Sequence, residues 1–204
     1  MQPGTGWPVG RRPAWQWGGG GVLLVLFGWF AFVRDTRVPL LGWIDLAIHE
    51  FGHVATLFLP EVGSAMMGNG MQTLVPLLLA GAFGFRERNW LGVVVCLGWA
   101  ATTLQDASVY IADAPYQRLQ LIGGYHDWAF ALGELGQIHR AEAIARVVWT
   151  LGLLAWIGAA AGCAAGPWVE PALARRSTRS ELPGPADAHI PPSDPDSDWR
   201  NYFG

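Results

Sequence analysis

His49, Glu50 and His53 stand in an HExxH pentapeptide, His49-Glu50-Phe51-Gly52-His53, the spacing used by zinc hydrolases. The spacing works on a helix. Residues four apart share a helix face with Cβ atoms ~5–6 Å apart. Two imidazoles so placed reach one Zn²⁺ through bonds of ~2.0–2.1 Å. Glu50 projects beside that face, where a carboxylate takes a proton from a metal-activated water and passes it to a leaving group. Gly52 keeps the helix surface thin next to the metal and admits a neighbouring helix or a substrate backbone.

A zinc site of this type needs a third protein ligand and leaves one position for water. Two residues lead the candidates, His126 and Asp127, which follow Gly123-Gly124-Tyr125. Asp113 and Asp106 come next. They flank Tyr110 at i, i+4, i+7 spacing, which makes one polar stripe on a helix. Each acid also has a structural reading. Asp127 suits a helix N-terminal cap, and Asp106 suits a hydrogen bond to Tyr110 or Gln72. Asp45, four residues before His49, is placed to accept the free ring N–H of a ligating histidine. His139 reads as surface-facing, and Glu61 and Glu134 as interfacial.

These residues need elements to position them, and the composition says which. The chain is 51% hydrophobic and only 14% charged, with 12 Trp, whereas globular domains carry about 25% charged residues. That balance predicts an integral membrane protein. The fold class expected is all-α, a bundle of about five transmembrane helices over residues 18–33, 38–59, 65–85, 90–111 and 143–165. HExxH falls in the second of these, where ionisable groups are costly and so read as functional. Alternating chain direction puts the end of the second span, the start of the third and the end of the fourth at one membrane face. Asn69, Gln72, Thr73, Gln105, Asp106, Tyr110 and Asp113 gather there, beside the loop that carries His126 and Asp127.

Three domains are expected: a flexible Gly/Pro/Trp-rich arm over 1–17, the membrane domain over 18–168, and a tail over 169–204. The tail is rich in Pro, Ser, Asp and Arg, too polar to bury a core, and reads as disordered. All 13 basic residues are Arg, and the net charge of −3 suggests no nucleic-acid partner. Cys96 and Cys163 lie in apolar segments and read as packed small hydrophobes. The setting expected is a bacterial inner membrane, with lipid and a membrane-embedded protein substrate as partners.

The chain resembles the site-2 protease-like intramembrane metalloproteases. The resemblance rests on His49-Glu50-Phe51-Gly52-His53 within an apolar helix, preceded by Ala47-Ile48, and on a small multi-helix body. It implies Zn²⁺ as cofactor, His49 and His53 as ligands and Glu50 as catalytic base. The family draws its third ligand from an Asp in an Asn-Pro-x-x-Asp-Gly or Leu-Asp-Gly pattern. Neither pattern occurs here, and the nearest counterpart is His126-Asp127-Trp128. Two other functions fit the same residues. One is a zinc hydrolase of a lipid or small amide. The other is a non-proteolytic metal-binding or proton-relay subunit of a larger membrane assembly.

Overall fold

Helices account for all the regular structure of the described residues. These are 12–121 and 124–180 of a computed structural model, with side chains as far as 175. Helix α1, Ala14–Gly28, runs into a π-helical turn, Trp29–Val33. It is followed by α2 (Leu41–Ala55), α3 (Glu61–Phe85), α4 (Trp90–Asp113) and the short α5 (Asp127–Glu134). A 3₁₀ turn, Ile138–Arg140, leads into α6, Ala141–Ser180.

Local sequence sets several of these ends. Asn89 caps α4 by accepting the Gly92 N–H at 2.9 Å. Glu61 sits in the first turn of α3, where the exposed N–H groups favour an anion. The apolar run expected over 38–59 yields a shorter helix. Before it stand Pro39 and Leu40, the latter at φ 64°, and after it Thr56 leaves helical geometry at φ −118°. The 15 residues of α2 rise about 22 Å, less than the ~30 Å of a hydrocarbon core.

Helix α4 is the axis of the fold, packed against α6, α3 and α1. Its buried face is built from small residues, among them Gly98, Ala100, Ala101 and Ala107, which lets neighbouring backbones come close. A first apolar core joins Trp17, Leu24 and Phe27 of α1 to Val94 of α4 and to Ala159 and Cys163 of α6. Glycines make the seats. A Cβ on Gly28 would strike the Trp156 indole, one on Gly98 would strike Leu24, and one on Gly166 would strike Trp17. A second core gathers Ile111, Ala114, Leu132, Ala141 and Ala145. Cys96 and Cys163 are both buried and free.

Two boundaries differ from expectation. Ala14–Trp17, expected in the arm, are helical, and Trp17 is buried in the first core. At the other end α6 does not stop at Pro167 but continues through Pro167 and Pro171. A proline forfeits one ladder hydrogen bond, and this stretch has an anchor that offsets the loss. Buried Glu170 pairs with Arg12 at 3.0 Å, and Arg12 also donates to Asn89 at 3.0 Å. That clasp binds the beginnings of α1 and α4 to the far part of α6. Residues 1–11 and 181–204 of the expected arm and tail lie outside the described residues.

Among the described residues, two helices are long and apolar enough to cross a membrane, Ala14–Val33 and Ile138–Arg175. The outer surface is apolar well beyond them. Trp43, Phe51, Leu57, Leu78 and Leu154 are all more than half exposed, while Gln72 and Gln105 are each only 2% exposed.

Candidate metal centre

Helix α2 presents His49 and His53 on one face, with ring centroids 4.8 Å apart. Two glycines make the room. Gly52 lies so close to α3 that a Cβ there would strike the Met67 carbonyl, and a Cβ on Gly68 of α3 would strike the His49 ring. The close approach expected at Gly52 is therefore to a neighbouring helix. His53 Nδ1 lies 2.9 Å from the Ser64 carbonyl. The Nδ1–H donates there, which fixes the tautomer and leaves the Nε2 lone pair free.

Asp127 opens α5 and reaches the histidine pair from 78 positions beyond His49. Its Oδ2 lies 3.1 Å from His49 Nε2 and 3.5 Å from His53 Nε2, and the two Nε2 atoms are 3.1 Å apart. The three ligand atoms are close enough to hold one metal ion. A triangle with these sides has a circumradius of about 1.9 Å, just under the ~2.0–2.1 Å of a zinc–nitrogen or zinc–oxygen bond. The three atoms are therefore spaced so that His49, His53 and Asp127 would together hold one such ion. The donor set of two imidazoles and one carboxylate suits zinc.

Tyr110 of α4 locks Asp127 at two points. It accepts the Asp127 backbone N–H at 3.0 Å and donates to Oδ2 at 3.2 Å. Burial alone would raise the Asp127 carboxyl. The hydrogen bond with His49, the electrostatic attraction of the histidine pair and the Tyr110 hydrogen bond outweigh it and hold the group below its ordinary value. The carboxylate is therefore ionised at neutral pH, the state a metal ligand requires.

His126, the other leading candidate for third ligand, is placed differently. As N-cap of α5 its Nδ1 accepts the Ala129 N–H at 3.2 Å, which turns the ring back onto its own helix. The ring stacks on Tyr110 at 4.3 Å. Its buried Nε2 has no hydrogen-bond partner and lies 3.4 Å from Asp113 Oδ2. Burial holds His126 below the ordinary histidine value, against the pull of the Asp113 carboxylate.

The remaining acids are engaged elsewhere. Asp113 accepts the backbone N–H groups of Arg118 and Leu119 at 3.0 Å. Asp106 pairs with Arg37 at 2.7 Å, not with Tyr110 or Gln72. Asp45 does not reach a histidine. Its Oδ1 accepts the Trp99 indole N–H at 2.7 Å, a partner 54 positions away that helix periodicity cannot reveal. His139, Glu61 and Glu134 are exposed.

A cavity of about 700 Å³ opens over the triad, lined by Glu50, His49, His53 and Asp127 together with Trp43, Leu46, Val109, Tyr110 and Tyr125. The 35–40 connection forms one wall, fixed to α4 by Gln105 donating to Asp35 at 2.6 Å and by the Arg37–Asp106 pair. Glu50 is exposed towards this space. The sequence alone points to His49, His53 and Glu50 and leaves the third ligand open between Asp127 and His126, and it assigns no role to Trp99, Trp128 or the 35–40 wall. No family model, curated protein or solved structure matches the chain. The geometry of the site is therefore what its function must be read from.

Proposed function

We propose that the chain is a membrane-embedded zinc metallopeptidase of the site-2 protease-like kind, cleaving a peptide bond in or near the bilayer. The observation that carries this reading is the meeting of His49, His53 and Asp127 beneath a cavity that Glu50 also lines. The apolar exterior, the buried polar residues and the two apolar helices support a membrane setting. In that setting α2, α3 and α4 complete a bundle of about five membrane helices around those two.

His49 Nε2, His53 Nε2 and Asp127 Oδ2 would hold the ion. When bound, zinc lowers the pKa of water towards ~7 and polarises a carbonyl. The chain's own residues supply the rest. Glu50 accepts a proton as a water oxygen attacks the peptide carbonyl carbon. It then delivers that proton to the amide nitrogen as the C–N bond breaks. Ser64 and Tyr110 hold His53 and Asp127 in orientation. The apolar lining, Trp43, Leu46 and Val109, takes substrate side chains and excludes bulk water.

Metal analysis with two variants tests the proposal. Purified protein should hold about one equivalent of zinc, and His49→Ala should abolish it. Glu50→Gln should keep the metal and lose peptide hydrolysis. A wild-type chain without zinc overturns the metal reading. Hydrolysis unchanged in Glu50→Gln overturns the catalytic one and leaves a metal-binding or proton-relay subunit.

A further inference from the structure

Asp127 is the one member of the triad that α2 does not carry. Its helix, α5, has eight residues and follows a long connection from α4. An element that short does not hold its own position. Tyr110 ties Asp127 to α4, but neither histidine is on α4.

A separate chain of hydrogen bonds ties α5 to the histidine helix. Trp128, next to Asp127, donates its indole N–H to Asn69 Oδ1 of α3 at 2.8 Å. Asn69 Nδ2 donates to Gln72 Oε1 at 2.5 Å. Gln72 Nε2 donates to the Asp45 backbone carbonyl of α2 at 3.0 Å, one helical turn before His49. Asn69 and Gln72 are 6% and 2% exposed. Each link uses a different polar atom, and each amide is held at both its oxygen or nitrogen ends along the path. Asn69 and Gln72 are therefore committed to neighbouring side chains and backbone. A buried network of this kind, with every link made, is stiff, and losing one member leaves a desolvated polar group behind.

We infer that Trp128, Asn69 and Gln72 are positioning residues that set the distance between Asp127 and the His49–His53 pair. Their hydrogen bonds in this chain go to one another and to Asp45, not to a ligand atom of the triad. They act by fixing α5 against α2 across α3, and through that the affinity of the site. The inference rests on the metal reading above but not on peptide hydrolysis. Residues that support metal ligands from behind commonly contribute 10–100-fold in affinity.

The test uses Co²⁺ as probe, bound to the full chain in detergent. Its visible d–d bands report coordination geometry, and competition with a chelator gives affinity. Trp128→Phe keeps an aromatic ring and deletes one N–H. Gln72→Met keeps length and deletes the Asp45 link. Each should weaken Co²⁺ binding about 10-fold or more and alter the d–d bands, a change in the site beyond whatever stability the metal-free protein loses. The double variant should lose no more than the weaker-binding single, because both cut one path. Wild-type affinity and bands in both single variants overturn the inference. So does weakened binding with unchanged bands and an equal loss of metal-free stability, which marks a packing role. A wild-type chain that takes up no Co²⁺ overturns the metal reading with it. Loss of hydrolysis alone, as in Glu50→Gln, bears on neither.

Discussion

The two ends of α4 bury charge in opposite ways. At its start, Arg12 is spent entirely on neighbours, pairing with Glu170 and donating to Asn89 and Gln16. Around that clasp the packing is apolar, with Trp17 seated on Gly166. At its far end, Tyr110 holds Asp127, whose Oδ2 meets two imidazoles at 3.1 and 3.5 Å, beside a cavity large enough for a ligand. One end has satisfied its charges and keeps beside them a pocket of only about 290 Å³, against about 700 Å³ at the triad. The other has gathered acids and bases and left space open. Buried charge by itself thus says little about function, and charge next to a cavity says more.

Substitutions can separate the two ends. The largest effect should come from Asp127→Ala, which removes a ligand and should take zinc content from about one equivalent to near none, read by metal analysis of purified protein. Glu50→Gln follows, with turnover down about 10²–10⁴-fold, the range for a positioned general base, at unchanged metal content. Gly166→Val attacks the other end. Its new Cβ meets the Trp17 indole, and overpacking of this kind costs about 1–3 kcal/mol. Thermal unfolding in detergent should register that loss, while zinc per folded molecule stays at the wild-type level. Equal loss of zinc would mean that the ends are not independent. Arg37→Ala should do least. The Arg37 side chain is 54% exposed, and such pairs contribute at most about 1 kcal/mol, so unfolding should barely shift.

How far the sequence disclosed this arrangement depends on reach along the chain. The His49–His53 pair follows from i, i+4 spacing alone. The gathering of polar residues at one end follows from alternating helix direction, and Asn69, Tyr110 and Asp127 do meet there. The choice between His126 and Asp127 was beyond spacing, because adjacent residues part company at a helix start. The capping residue folds back onto its own helix, and the next projects outward. The partners of Asp45 and Asp106 lie 54 and 69 positions away, so periodicity held no trace of them. Pro167 misled as a stop signal because the anchor that holds the helix beyond it, Arg12, lies at the opposite end of the chain.

The 78 positions between His49 and Asp127 have a thermodynamic corollary. An ion held by both would staple the chain into a closed loop containing α3, α4 and the connection to α5. Closing so long a loop restricts the unfolded chain, and any affinity for the ion becomes conformational stability of the folded one. Chelation would then be felt first as a release of α5, well before α1 and α6 part, and the protein's melting point would track the free concentration of the metal.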